Sequence, residues 1–403
     1  MQRLLEPVQP IIDAVAAAGG YPLIVGGALR DALLGFEPKD IDIEVYHLAP
    51  DQLVAALATV GNVVSVGRSF GILKLRLPGG YEVDVAPPQR RSHNAGQRGL
   101  AFTPDLSMTP QQAAARRDFT FNAMALTPGG DLLDFFGGQA DLERGIIRHV
   151  SDLFGEDPLR VLRAMQFAAR FNMRLAPATA EVCRSLLAFA PGLPRERVWV
   201  EWHKWATRGA FPSVGLRTLH ESGWTAAFPE LAALLDCPQD PVWHPEGDVW
   251  IHTGCVCDAA YELAHTAQLP DDERAVLLFA ALCHDLGKPA TTATGDDGRI
   301  RSPGHAGTGV ELARSFLGRI GAPRAIGEHV LPLVREHMSH IGLEPTPRTV
   351  RRLAVRLAPA TITQWRLLVA ADASGRPPLP PADPGAPIAA LAAQLGAASG
   401  RQA

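Results

Sequence analysis

Two hydrophobic rhythms divide this chain. From residue 1 to about 148, short runs of alternating apolar and polar positions mix with helical spacing; from about Asp152 onward the apolar positions recur almost wholly at helical steps. After the Gly26-Gly27 turn a helix is expected from about Ala28, followed by a strand over Asp40-Ile-Asp-Ile-Glu-Val45. Val63-Val-Ser-Val-Gly67, Ile72-Leu-Lys-Leu-Arg-Leu77 and Tyr81-Glu-Val-Asp-Val85 alternate as adjacent strands around a Pro78-Gly-Gly80 turn. Pro87 to about Pro110, with Gln, Arg, Ser, Asn and Gly, reads as a long loop of the kind that is usually functional or mobile. Asp152 to Leu235 is helical, as is a block over 249–342 that carries most of the histidines, and Arg348 to about Ala373 adds more helix. Pro377-Pro-Leu-Pro-Pro381 is a stiff linker before a short Ala-Leu-rich tail, and there is no internal repeat. The pattern predicts an α+β chain: a mixed-sheet head with helices over 1–148, largely all-α regions over 149–240 and 241–376, and a Pro-rich linker with a short helical tail over 377–403.

Composition narrows this little. The 403 residues suit roughly two to four domains, and a hydrophobic fraction of 47% is ample for folding. No apolar run reaches membrane-spanning length, and Met1-Gln-Arg-Leu-Leu-Glu6 lacks the regions of a signal peptide, so no membrane partner and a cytoplasmic location are expected. The five cysteines, Cys183, Cys237, Cys255, Cys257 and Cys283, are odd in number and not paired as Cys-x-x-Cys, which argues against a disulfide framework. A net charge of −4 means that a nucleic-acid partner needs a local basic surface. Candidates are Arg90, Arg91 and Arg98; Arg116 and Arg117; Arg160, Arg163 and Arg170; and Arg348, Arg351, Arg352 and Arg356, each of which is otherwise a solvated face.

Chemistry enters with Leu23-Ile-Val-Gly-Gly-Ala-Leu-Arg-Asp31 and the strand after it. Gly26 and Gly27 let backbone approach closely, and the following helix offers its first amides to a phosphate. Asp40 and Asp42, two apart on a strand, point to one face and can share a pair of divalent cations. Asp-x-Asp alone is common on solvated strand ends and Gly-Gly alone marks a turn; in this order they read as a nucleoside triphosphate site in which Mg²⁺ bridges the carboxylates to the triphosphate. Glu82 or Asp84 supplies a third carboxylate. Glu156-Asp-Pro-Leu-Arg160 is expected to open a helix, with Asp157 and Arg160 neighbours on one face. A carboxylate accepts from an exocyclic amine and a guanidinium donates to ring nitrogens or carbonyls, so the pair suits cytosine and adenine over uracil and guanine; an intrahelical salt bridge is the ordinary alternative. In Ala115-Arg-Arg-Asp-Phe-Thr-Phe-Asn-Ala-Met124, a loop-to-helix junction, Arg117 and Asn122 suit a triphosphate and sugar, or merely cap and solvate. His252 and the adjacent His284-Asp285 fit a mixed nitrogen and oxygen metal site.

Taken in order, Gly26-Gly27-Ala-Leu-Arg30-Asp31, Asp40-Ile-Asp42, Arg116-Arg117-Asp118-Phe-Thr-Phe-Asn122, Asp134-Phe-Phe-Gly-Gly138, Glu156-Asp157-Pro-Leu-Arg160-Val-Leu-Arg163 and Glu196-Arg197-Val-Trp resemble the motifs of bacterial class II tRNA nucleotidyltransferases, the CCA-adding enzymes, over about residues 20–230. The resemblance implies a head of the DNA polymerase β superfamily followed by helical neck, body and tail. It implies catalytic Asp40, Asp42 and Glu82, with Mg²⁺ on Asp40 and Asp42. It also implies nucleotide binding by Gly26, Gly27, Arg30, Arg117, Asn122, Asp157, Arg160 and Arg163, where Asp157 and Arg160 replace a nucleic-acid template. CTP, ATP and the tRNA 3′ end are the expected partners, and no protein partner is implied. Pro87-Pro88 stands where an arginine is expected, and Val66-Gly-Arg-Ser-Phe70 is similar to a signature of bacterial poly(A) polymerases, which share the head.

His284-Asp285-Leu-Gly-Lys288 resembles the HD-superfamily phosphohydrolase signature, with His305 and His337 downstream. That resemblance implies a metal site of His252, His284, Asp285 and Asp372, holding Ni²⁺, Mn²⁺ or Mg²⁺, with phosphatase and 2′,3′-cyclic phosphodiesterase activity. Poly(A) polymerase, CC-adding and A-adding enzymes, an HD phosphohydrolase with a nucleotide-binding head, and a non-catalytic RNA-binding protein are the alternatives.

Overall fold

In Asp40-Ile-Asp-Ile-Glu-Val-Tyr46, Ile41, Ile43 and Val45 are buried while Asp40 and Asp42 are exposed, so alternation alone gives this strand an apolar and an acidic face. It belongs to the first of two units, Met1–Asp157 and Pro158–Ala403, of a computed structural model that describes residues 1–37, 40–66, 71–92 and 101–399.

The first unit carries β1 (Tyr21–Val25), β2 (Asp40–Tyr46), β3 (Val64–Val66), β4 (Ile72–Arg76), β5 (Glu82–Ala86), β6 (Gln89–Ser92), β7 (Ala101–Pro104), β8 (Ala125–Leu126) and β9 (Leu132–Leu133). Seven of them form one sheet in the order β3-β4-β5-β2-β1-β8-β9. β2 and β5 run parallel, in the register Asp40 to Glu82 and Asp42 to Asp84; the other pairs in this sheet are antiparallel. On the apolar face Ile24, Ile41, Ile43, Leu73, Leu75, Val83 and Val85 are buried, each contributing about 1.5–3 kcal/mol of transfer free energy. The helix Gln9–Ala17 packs on β1 and on the helix Pro50–Leu57. On the opposite face Leu23, Val25 and Tyr46 join Met108, Ala113 and Ala125 in a small apolar cluster beside the acidic positions.

Three expectations change here. The segment read as a long loop contains a ribbon: β6 and β7 pair antiparallel, Gln89 opposite Pro104 and Arg90 opposite Thr103, as a separate two-stranded sheet. Arg90 pairs with Asp105 at 2.6 Å at its base. Gln89-Arg-Arg-Ser92 is polar throughout, so its sequence has no apolar alternation to read. Asp157 is extended (φ −140°, ψ 93°), as the residue before a proline tends to be, and the helix runs Arg160–Phe171. The three-residue spacing of Asp157 and Arg160 is therefore not a helical i, i+3 pair. Arg116 to Asn122 follows the end of the helix Pro110–Ala115 and contains one 3-10 turn, Thr120–Asn122. Lys39, Gly67-Arg-Ser-Phe70 and Arg98 lie outside the described residues.

The second unit is helical, apart from short strand pairings. Its helices include Arg195–Arg208, Pro212–Glu221, Val249–Thr266, Asp271–Cys283, His305–Arg319, Arg324–Glu336, Pro347–Leu357 and Ile362–Ser374. Trp202 and Trp205, on one helix, pack edge-on at 5.5 Å, and Trp202 packs at 5.3 Å against both Phe228 and Phe316. The helix Val249–Thr266 lies against Pro212–Glu221, Asp271–Cys283 and Ile362–Ser374. The tail forms the helix Ala386–Ser399, which packs on Pro347–Leu357 and Ile362–Ser374. Among the described residues no helix is long and apolar enough to cross a membrane, and the five cysteines are free.

Candidate active sites

β1 ends at Val25, and the chain turns through Gly26 at φ 77° into the helix Gly27–Leu33. A Cβ on Gly26 would lie 2.8 Å from Asp42 Oδ2 and 3.4 Å from Arg117 Nη1, so the turn is glycine both for its dihedral and for its closeness to the carboxylate. Asp40, Asp42, Glu44, Glu82 and Asp84 share the polar face of the sheet. Lys74 Nζ lies 2.9 Å from Asp84, and Arg76 lies 2.8 Å from Glu82. A cavity of about 280 Å³ opens here, lined by Asp42, Glu44, Asp84, Arg116, Arg117 and Glu156 among others. Asp42 is open to solvent along the strand, yet crowding by protein raises its carboxyl above the usual range; Arg117 opposes this, and Asp84 and Asp40 add to it. A cation would relieve this concentration of negative charge, so the donor set fits a hard divalent ion.

The arginines play different parts. Arg117 lines the cavity, with Nη2 3.6 Å from Glu44, and Arg116 pairs with Glu156 at 2.9 Å. Arg30 is buried; its guanidinium donates to Asn122 Oδ1 at 2.7 Å and to Asp31, and Asn122 donates to Asp118 at 2.9 Å. Arg30 and Asn122 thus tie the helix after the glycine turn to the Thr120–Asn122 turn. Asp157 and Arg160 are both buried. Arg163 lies 4.0 Å from Glu201, a buried carboxylate that Lys204 also approaches, at 2.9 Å.

In the second unit five segments converge on one point. His252 comes from the helix Val249–Thr266, His284 and Asp285 from just past Asp271–Cys283, and Asp372 from Ile362–Ser374. Two further histidines join them: His305 opens the helix His305–Arg319, and His337 follows Arg324–Glu336. His252 Nε2 is 3.3 Å from His284 Nε2 and 3.3 Å from Asp372, while His284 Nε2 is 3.1 Å from Asp285. The Nδ1 atoms of His284, His305 and His337 each donate to a backbone carbonyl, at 2.7, 2.8 and 2.7 Å, which leaves Nε2 facing the centre. Gly287 lets the Asp285-Leu-Gly-Lys288 turn meet the next helix, because a Cβ there would overlap the His305 carbonyl.

Glu246 and His244, which no pattern in the sequence marks, complete the centre's surroundings. Glu246 is buried, and its carboxylate lies 2.7 Å from His252 Nδ1 and 2.9 Å from His244 Nδ1. It sits in an irregular Pro-Glu-Gly segment with no periodicity to mark it. Burial opposes charge on His252, yet hydrogen bonds to Asp372 and Glu246 outweigh it and raise the imidazole to about 9. Burial pushes His337 down to about 3; burial also disfavours the Asp285 carboxylate, but its interactions with His284 and Lys288 outweigh this and hold it well below the usual carboxylate range. Among the described residues the groups able to hold an ion are His244, Glu246 and His252; His252, His284 and Asp372; and Asp285, His305 and His337. A cavity of about 700 Å³ reaches this centre, with Asp285, Lys288, His305 and Asp372 in its wall and Trp243, Arg301 and Arg376 around it.

A carboxylate-bearing mixed sheet followed by a helical histidine–aspartate centre defines the class: residues 22–148 match the Poly A polymerase head domain, and residues 249–363 match the HD domain. The Multifunctional CCA protein of Halorhodospira halophila is 38% identical over 339 residues, 82% of this chain and 76% of that one. That of Nitrosococcus oceani is 36% identical over 361 residues, 88% of this chain and 84% of its own. The chain belongs to the multifunctional CCA protein family. In fold it is similar to the Bacillus stearothermophilus CCA-adding enzyme in complex with CTP, at TM-score 0.66 and 22% identity, covering 98% of this chain and 83% of that one. The Thermotoga maritima CCA-adding enzyme complexed with tRNA_CCA gives 0.61 and 19%, covering 98% and 81%.

Proposed function

We propose that this protein is a template-independent tRNA nucleotidyltransferase that builds or repairs the 3′-terminal CCA of tRNA from CTP and ATP, and that its HD domain is a metal-dependent phosphohydrolase acting as phosphatase and 2′,3′-cyclic phosphodiesterase. The carrying observation is the acidic face at the Gly26 turn, where Asp42 stands against a backbone that admits no side chain. Asp40 and Asp42 hold Mg²⁺, with Glu82 and Asp84 adding negative charge from the neighbouring strand. Bound there, the ion supplies charge neutralisation at the triphosphate and activation of the primer hydroxyl. Arg117 and Arg116, at the cavity wall, attract the triphosphate. Arg30 and Asn122 keep the glycine turn in place from beneath. Asp157 and Arg160, in the region 149–240, select cytosine and adenine by paired hydrogen bonds, and Arg163 joins them in binding the nucleotide.

In the region 241–376, His252, His284, Asp285 and Asp372 hold Ni²⁺, Mn²⁺ or Mg²⁺, which supplies a Lewis acid for a phosphoester. Glu246 orients His252, and Lys288, 2.6 Å from Asp285, places a positive charge at the wall of the cavity. Incubating the protein with tRNAs ending at each stage of CCA, with labelled CTP or ATP, tests the transferase reading. Addition of C, C and then A, stopping there, supports it. Runs of A mark a poly(A) polymerase, and addition of C alone or A alone marks a partial enzyme.

A further inference from the structure

We infer that Trp243 is a base-stacking platform beside the histidine–aspartate centre, so that the phosphoester taken there carries a nucleobase, either as a free nucleotide or at the end of an RNA. This role rests on the reading of the centre as a phosphohydrolase and gives it a substrate class.

Of the seven tryptophans Trp243 alone is exposed, at 55%; the others are buried or half-buried. Among the described residues its ring meets no other ring and its indole N–H donates to no protein group. A tryptophan that serves packing buries roughly 150–250 Å². Trp243 instead lies in the wall of the cavity of about 700 Å³, with Ile300, Met338 and Ile341 and alongside Asp285 and Asp372 of the centre.

The turn that displays the indole is tied down on both sides. Asp240 accepts from the Val242 N–H at 3.0 Å and from Arg299 Nε at 2.9 Å, and its carbonyl accepts from the Trp243 N–H at 3.1 Å. Gln239 donates to the Gly247 carbonyl at 3.2 Å and accepts from Lys288 Nζ at 2.7 Å, and Lys288 in turn lies 2.6 Å from Asp285. His244, next in the chain, packs edge-on against the His252 ring at 4.6 Å. The indole is thereby fixed relative to the centre while its own surface stays uncovered, which is the preorganised form of a binding surface.

A phosphate, with the bulk of a few waters at about 30 Å³ each, fills a small part of such a space. What is left is apolar surface with Lys288, Arg301 and Arg376 in the wall, which suits an anionic molecule that also has a flat apolar face. A nucleotide meets both requirements. Every base has a π face, so stacking on an aromatic side chain tolerates any sequence. The platform therefore favours a nucleotide over a phosphoester without a base and chooses little among bases, in contrast to the hydrogen-bonding selection proposed for Asp157 and Arg160.

The full-length chain, as wild type, Trp243→Ala and Trp243→Phe, is assayed with Mn²⁺, Ni²⁺ and Mg²⁺ on adenosine 2′,3′-cyclic phosphate, on a short RNA ending in a 2′,3′-cyclic phosphate, and on glycerol 1,2-cyclic phosphate, which has the same ring and no base. In Trp243→Ala the KM for the base-bearing substrates is expected to rise roughly 10–100-fold, toward that for the glycerol ester, with kcat held within about threefold, and Trp243→Phe to recover most of the loss. Before any metal is added, adenosine 2′,3′-cyclic phosphate should quench the tryptophan emission of wild type and not that of Trp243→Phe; residues 1–157 contain no tryptophan, so the signal reports the second unit alone. A KM rise confined to the RNA or to the free nucleotide names the source of the base. Equal KM values in wild type and Trp243→Ala overturn the platform while wild-type hydrolysis keeps the phosphohydrolase. Parallel loss on base-bearing and base-free substrates in Trp243→Ala gives Trp243 a structural role and overturns the platform as well. Failure of wild type to hydrolyse any of the three with any metal overturns the phosphohydrolase reading, and the platform with it.

Discussion

A methyl group on Gly26 would press on Asp42 Oδ2 from a backbone at φ 77°, ψ −143°, a conformation that costs a side chain about 1–3 kcal/mol even in open space. Gly26→Ala is therefore expected to lower CTP incorporation on the order of a hundredfold, through displacement of the carboxylate, and to leave hydrolysis at the HD centre unchanged. Asp42→Ala goes further. An exposed carboxylate among other carboxylates contributes little to stability, so the thermal unfolding midpoint should hold while labelled-nucleotide incorporation falls on the order of a thousandfold or more; near-normal incorporation would refute the metal assignment. Arg160→Ala is expected to raise misincorporation of UTP and GTP relative to CTP and ATP without altering the Mg²⁺ dependence, since a site of paired hydrogen bonds rejects partners that leave buried groups unpaired. Equal discrimination in wild type and variant would return Arg160 to a structural role.

At the scale of elements, what was readable in the sequence followed periodicity. β3, β4 and β5 are the three adjacent strands expected around Pro78-Gly-Gly80, and β4 and β5 each bury one face and so alternate. The β6–β7 ribbon was not readable, since Gln89-Arg-Arg-Ser92 is polar throughout and carries no alternation, and Asp157 was misplaced because Pro158 overrides the helical pattern behind it. Glu246 was invisible for a different reason: its role is set by His252, which belongs to another element, and a single irregular residue leaves no pattern. A comparable tie joins Glu230, on the short helix Pro229–Ala232, to Ser315 at 2.6 Å and Arg319 at 3.0 Å on the helix His305–Arg319. Burial disfavours the Glu230 carboxylate, but bonds from Arg319 and Ser315 outweigh it and bring its pKa below the ordinary 4.5. A depressed carboxyl gives stability that is present above the unfolded value and lost as pH falls through the folded one. Unfolding of Glu230→Gln should consequently depend less on pH than that of wild type below about pH 4.5, the two curves running parallel above it.

For the whole molecule, the two centres lie in different units and draw on different donor chemistry, carboxylates in one and imidazoles with carboxylates in the other. His284→Ala and Asp285→Ala should each abolish metal-stimulated hydrolysis of small phosphoesters while leaving nucleotide addition to tRNA intact, and Asp42→Ala should do the reverse. Hydrolysis assays with Ni²⁺, Mn²⁺ and Mg²⁺, run beside incorporation assays on the same preparations, check both halves; loss of both activities in either variant contradicts the separation. The parallel pairing of β2 with β5 bears on how the chain is made. Asp42 meets Asp84 only after the helix Pro50–Leu57, β3 and β4 have crossed over between them, so the acidic face is a product of long-range closure, not of local folding. A nascent chain interrupted before Glu82 would carry the Gly-Gly turn and both aspartates of β2, yet lack the carboxylates that β5 sets beside them. Translation must pass β5 before the acidic face of the transferase centre is complete.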